Sequence, residues 1–200
     1  FEAMGLPSRR LESWRYTDLR ARWRDAAAFA PAPSAEARRA FVEALGGADE
    51  IRIGFLDGHH IAEATGALPA GVAIHVGREH VWTAVAQSDA AITLNDAFAE
   101  TVEIDIAAGV AVETPIHIVS LTTGAFSTAQ RVLVRLGSRA QAYVIETHRG
   151  GAAHQKNCAL LFEIGDDARV EHVARHGDDH DGANVVSSFA ATLGAHAELD

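Results

Sequence analysis

The chain has one cysteine, Cys158, among 200 residues. A disulfide framework is therefore impossible, a reducing compartment is the natural setting, and a cluster ligated by several cysteines of this chain is excluded. Lysine is equally scarce, with Lys156 alone beside sixteen arginines. No apolar run approaches the roughly eighteen residues of a membrane helix. No basic-then-apolar leader opens the sequence, so these residues are expected to stay in the cytoplasm. Positive charge is short as well: 17 Lys and Arg stand against 27 Asp and Glu, a net charge of −10. Residues 1–50 balance eight arginines against eight acids, so the whole deficit falls on residues 51–200. Such a surface repels nucleic acid. The motifs Gly-x-Ser-x-Gly and Gly-x-x-x-x-Gly-Lys are both absent, and no nucleophile constellation stands out. What is abundant is apolar residue, 48% with only 22% charged, which argues for a folded chain with one good-sized core or two small ones.

Residues 1–50 read as a small helical region. Pro7 and Ser8 open a helix in which Leu11, Trp14, Leu19 and Trp23 share a broad apolar face. Pro31 and Pro33 interrupt it. Ser34 then caps a second helix with apolar residues Ala37, Phe41, Val42 and Leu45, closed by Gly46-Gly47. Residues 51–100 form a mixed α/β lead-in. Ile51, Ile53 and Phe55 alternate, Asp57-Gly58 marks a turn, and Val72, Ile74 and Val76 alternate again. From about 79 to 99 the pattern favours a short helix, with Trp82, Val85, Ile92, Leu94 and Phe98 expected to be buried.

From residue 101 to 200 the pattern repeats. VEIDIAAGVAV from 102, VLVRLGSRAQA from 132, LLFEIGDDARV from 160 and FAATLGAHAEL from 189 align at offsets of 30, 28 and 29 residues. Five columns run through them. They are Val102/Val132/Leu160/Phe189, Ile104/Val134/Phe162/Ala191, Ile106/Leu136/Ile164/Leu193, Val110/Ala140/Ala168/Ala197 and Val112/Ala142/Val170/Leu199. Every position is apolar. Within each segment the residues alternate as a strand with one buried face requires. A three-residue corner separates two strands in each repeat: Ala107-Ala108-Gly109, Gly137-Ser138-Arg139, Gly165-Asp166-Asp167 and Gly194-Ala195-His196. The links back are polar or glycine-rich and vary in length: Thr122–Ala129, Arg149–Asn157 and His176–Ser187. Constant corners with variable links predict a mainly β fold, a right-handed parallel β-helix of 28–30 residues per rung behind the helical N-terminal region. The alternative is an antiparallel sandwich or barrel of hairpins. The second strand of the last rung stops at Asp200, so the rungs are expected to be cut short there or covered by a second copy.

Several segments also resemble the SufB/SufD family of iron–sulfur cluster assembly scaffolds. LPSRRLESWRYTDLR (Leu6–Arg20) resembles that family's helical opening, and TLNDAFAE (Thr93–Glu100) its segment before the first rung. VEIDIAAGVAVETPIHIVSL (Val102–Leu121) is similar to its rung containing Pro-Ile-His, with RVLVRLGSRAQAYVIETHRG (Arg131–Gly150) and Gly165–His176 continuing in register. The opening and the lone cysteine point to the SufD side. The resemblance implies a right-handed parallel β-helix that acts as a non-catalytic scaffold with SufB-like and SufC-like partners; a homodimer is a further expectation, and charge and hydropathy lead to no nucleic acid or membrane partner. The resemblance also implies a cluster assembled transiently by the full complex, with none bound by these residues alone. The family's ATPase-docking helices and its implicated histidine lie beyond the segments that match, so no catalytic, cofactor or metal residue is assigned.

Eleven histidines still require a metal site to be weighed. The densest run is His172, His176, Asp178, Asp179, His180 and Asp181, whose spacing fits no helical zincin or structural zinc pattern. The competing functional reading is a metal-dependent enzyme of cupin-like β architecture using residues 172–181. A carbohydrate-acting solenoid is a third, disfavoured by an aromatic content of only 6%. His59-His60 are expected to be exposed, and His117 to lie on the outer face between Ile116 and Ile118. Cys158 is expected as a buried thiol in the link entering the third rung. Trp14, Tyr16 and Trp23 among six arginines read as helix packing rather than RNA contact.

Overall fold

A computed structural model describes residues 6–46, 50–78, 89–177 and 180–200. The alternating segments become strands that stack in parallel into two facing sheets, a β-solenoid of about three turns. One sheet stacks β4 (Thr101–Ile106), β6 (Ser127–Leu136), β8 (Gln155–Ile164) and β10 (Asn184–Leu193). The other stacks β1 (Ile51–Leu56), β5 (Ile116–Thr122), β7 (Gln141–Gly150), β9 (Arg169–His176) and β11 (Glu198–Leu199). Val102, Val132, Leu160 and Phe189 pair directly across the first sheet, as do Ile106, Leu136, Ile164 and Leu193. Ala142, Val170 and Leu199 do the same in the second. The hairpin arrangement is thereby ruled out for these strands.

Antiparallel strands occur at the N-terminal end of the stack. β2 (His59–Ile61) folds back on β1 through the Asp57-Gly58 turn, where both residues have positive φ, 51° and 83°. β3 (Val72–Val76) runs antiparallel to β4. Together they finish the two sheets with hairpin-like edges rather than open parallel ones.

The columns are buried through the first three rungs, apart from the half-buried Val110, and open up in the fourth, where Phe189 is 49% and Leu193 47% exposed and Ala191, Ala197 and Leu199 are half-buried. Each corner is built the same way. Gly109, Arg139, Asp167 and His196 all take positive φ, 56–73°. Three of these carry a Cβ in a conformation that costs roughly 1 kcal/mol or more outside glycine. Arg139→Gly is therefore expected to raise stability by up to about 1 kcal/mol, read as a higher urea midpoint at unchanged m-value.

The N-terminal region departs from one continuous amphipathic helix. Glu12–Trp14 forms a 3₁₀ turn and the helix restarts as α1 (Leu19–Arg22), because Asp18 caps it by accepting from Ala21 N at 3.0 Å. Of the expected face only Leu19 is fully buried, and Leu11 is 44% exposed. The second helix is α2 (Ala35–Leu45), capped by Ser34 Oγ accepting from Ala37 N at 3.1 Å. Its Phe41 packs with Leu56 and Ile61, while Ala37 stays exposed and Gly47 lies outside the described residues.

α3 (Ala90–Asp96) lies on the outer face of the first sheet, where Ile92 packs with Leu133, Leu161 and Ala190. Asn95, fully buried, donates to the Gln130 and Asn157 carbonyls at 3.0 and 2.9 Å. Arg131 pairs with Asp96 and donates to Ala99 O and Thr101 Oγ1. The TLND run thus latches this helix to successive rungs. Trp82 and Val85 lie outside the described residues. Phe98 is 55% exposed, against the expectation of burial, because the helix ends before it.

Candidate functional site

The alternation does not stop where the apolar columns stop. In β7 the buried parity runs Ala142, Val144, Glu146, His148; β8 is buried on both faces, and its interior parity runs Lys156, Cys158, Leu160, Phe162, Ile164. The solenoid interior is therefore apolar beside the corners and polar beside the return links. Cys158 sits within β8, inside the solenoid, rather than in a link. The link Arg149–Asn157 shrinks to residues 151–154, since the ladder hydrogen bonds continue through the polar residues on both sides.

Stacking converts one interior column from apolar to polar along the axis: Phe55, Ser120, His148, His176 are successive partners. His148 is fully buried and held from both ring nitrogens. Its Nε2 lies 2.6 Å from Glu146 Oε1, and its Nδ1 lies 3.7 Å from Cys158 Sγ. His176 stacks on the His148 ring at 4.8 Å between centroids and 5° between planes, and is itself exposed. The stack therefore leads from solvent to the buried pair. His172 places Nε2 3.5 Å from Glu146 Oε2, within ion-pair range but long for a hydrogen bond. Lys156, 1% exposed, donates to Arg149 O at 3.4 Å on the same side of the interior.

The electrostatics follow from this geometry. Burial works against the charge of Glu146, but the His148 and His172 rings outweigh it and hold the carboxyl at about 2. Burial likewise disfavours an imidazolium at His148, and the charge and hydrogen bond of Cys158, with those of Glu146, raise it to about 10. A sulfur, an imidazole and an orienting carboxylate in line form the arrangement that activates a thiolate as nucleophile or soft ligand. Cys158 is 1% exposed, so no bulky substrate reaches it in this conformation.

The histidine-rich run is divided by the fold. His172 and His176 belong to β9 and the interior columns, whereas His180 is exposed, its Nδ1 accepting from Gly182 N at 3.0 Å. Asp178 and Asp179 lie outside the described residues. Among the described residues no group of three or more His, Cys, Asp or Glu is placed to hold a metal. His117 faces outward as expected and is packed, with Nδ1 3.0 Å from Glu50 and Nε2 2.8 Å from Thr147. His59 and His60 are half-buried rather than exposed, because residues near Ala30 and the Phe55 ring cover them. No helix among the described residues is long and apolar enough to cross a membrane.

No protein-family model matches the sequence, and no curated protein does either.

Proposed function

We propose that the chain is a non-catalytic, SufD-type scaffold subunit of the SUF iron–sulfur cluster assembly complex. In this reading it works in the cytoplasm with a SufB-like chain and a SufC-type ATPase, and the whole complex assembles the cluster transiently. The observation that carries the reading is the parallel stacking of rungs in the register defined by the resembling segments, Val102–Leu121 upon Arg131–Gly150 upon Gly165–His176. A second support is the use made of the TLND run, whose Asn95 and Asp96 tie the helix before the first rung to the sheet.

Parallel rungs give a wall whose length grows by one strand spacing per rung and whose partners are held in fixed register. The burial of Cys158 favours this over an enzyme acting on that thiol. The test is co-expression of the full-length protein with SufB-like and SufC-like chains from the same genome. Co-elution of all three in constant ratio is expected, and a full-length protein that associates with neither sinks the proposal.

A further inference from the structure

Phe29 and Phe98 are half exposed, at 51% and 55%, yet their rings stack on one another at 4.8 Å. Two hollows share this pair as a wall, together with Ser127, Thr128 and Ala129. One hollow, about 200 Å³, is apolar and is lined by Leu6, Trp23 and Leu94. The other, about 300 Å³, is lined by Asp57, His59, His60 and Glu100.

The roof over the apolar hollow is a built feature. Residues 25–30 lie as a strap along the start of β6 and β8. Ser127 N donates to Ala28 O at 2.9 Å, and Ala30 N returns a bond to Ser127 O at 3.1 Å. Gln155 clamps the strap twice, accepting from Ala27 N at 3.1 Å and donating to Asp25 O at 3.0 Å.

Buried polar atoms without a hydrogen-bond partner among the described residues gather around these hollows. Trp23 Nε1 and Asn157 Oδ1 belong to residues lining the apolar one, His60 Nε2 to the acidic one, and Thr128 Oγ1 to both. Asn157 and Thr128 are each only 5% exposed. Orphaned polar atoms of this kind call for a partner, and an aromatic wall over a largely apolar cavity with a few convergent polar groups is the usual form of a small-molecule site. The sign of the charge narrows the class. Glu100 is acidic, as is Asp57, whose carboxylate also accepts from Thr123 N and Oγ1 at 2.7 and 2.8 Å; no Lys or Arg lines either hollow, and burial lowers the His60 pKa, against a positive charge on its ring. A cation is favoured there by the carboxylates and by the aromatic faces.

We propose that the paired hollows bind a small amphipathic amine. Its apolar body, roughly ten non-hydrogen atoms at interior packing density, fills the hollow under the strap, and its ammonium lies by Phe29 and Phe98 facing Asp57 and Glu100. This site is separate from the Cys158 cluster and independent of the scaffold reading. The test is calorimetric titration of the full chain with 4-phenylbutylamine and with 4-phenylbutyrate, two probes of similar body and opposite charge. The amine is expected to bind one to one with Kd on the order of 0.1–1 mM, the carboxylate at least about tenfold more weakly. Phe98→Ala and Glu100→Gln, both at exposed residues, are each expected to weaken the amine about three- to tenfold while leaving the melting temperature near that of the parent. Absence of saturable amine binding, equal binding of the two probes, or amine binding indifferent to both substitutions would overturn the assignment.

Discussion

Replacing Glu146 with alanine is expected to destabilise the fold by about 3–5 kcal/mol, the cost of leaving one partner of a buried ion pair uncompensated. The carboxylate is 3% exposed and its partner His148 is fully buried, so no water replaces the 2.6 Å contact. Glu146→Gln keeps the shape and an acceptor and is expected to cost less. The same pair shapes the pH dependence. Glu146 is held at about 2 against an ordinary 4.5, so its contribution is complete above pH 4.5 and is lost as pH falls toward 2. His148 is raised to about 10 from an ordinary 6.5, so its contribution is complete below pH 6.5 and is lost as pH rises through 10. Urea midpoints across pH should therefore fall on both sides of a plateau between 4.5 and 6.5. In Glu146→Gln the acid limb should flatten. A midpoint for Glu146→Ala within 1 kcal/mol of the parent, by the usual m-value conversion, would show that the pair is not buried as described.

Gly165→Ala is expected to cost about 2–4 kcal/mol, although it adds a single methyl. A Cβ at Gly165 would stand 2.8 Å from Ser138 N and 3.0 Å from Gly137 C, both main-chain atoms of the rung beneath. Backbone cannot swing aside as a side chain does, so the strain passes into the rung spacing. Gly137 and Gly194 meet the same obstacle, at 2.5 Å from Ala108 N and 2.7 Å from Asp166 N. The control is Gly66, an exposed residue where an added Cβ meets nothing within 4 Å and no positive φ opposes alanine. Gly66→Ala should change stability by no more than about 0.5 kcal/mol. Equal losses at the two glycines, measured by denaturant unfolding, would mean that rungs do not lie directly over one another.

Much of this architecture is legible in the residues because a solenoid repeats its own constraints. Val132, Leu160 and Phe189 occupy one column, and each corner places its third residue at positive φ, so pattern and geometry agree rung after rung. The buried site was less visible for a physical reason. Apolar alternation signals an interior only where the interior is apolar, and Glu146, His148, Lys156 and Cys158 line a part that is not. The parity alone could have found them, since Glu146 and His148 continue the even register of Ala142 and Val144. The strap of residues 25–30 gave no local signal at all, because its order comes from Ser127 and Gln155, about 100 and 130 residues away. Phe98 reads as a core residue in isolation; its stacking on Phe29 depends on that same strap.

The stacking of rungs in parallel register underlies both the proposed function and the buried site, and through-space proton NMR tests it most directly. Backbone contacts should link Val132 to both Val102 and Leu160, and Val144 to both Ile116 and His172, each pair 28–30 residues apart. Strong contacts instead between opposed residues of consecutive strands, such as Leu136 with Gln141 continuing outward into Val134 with Tyr143, would reveal hairpins and contradict the account.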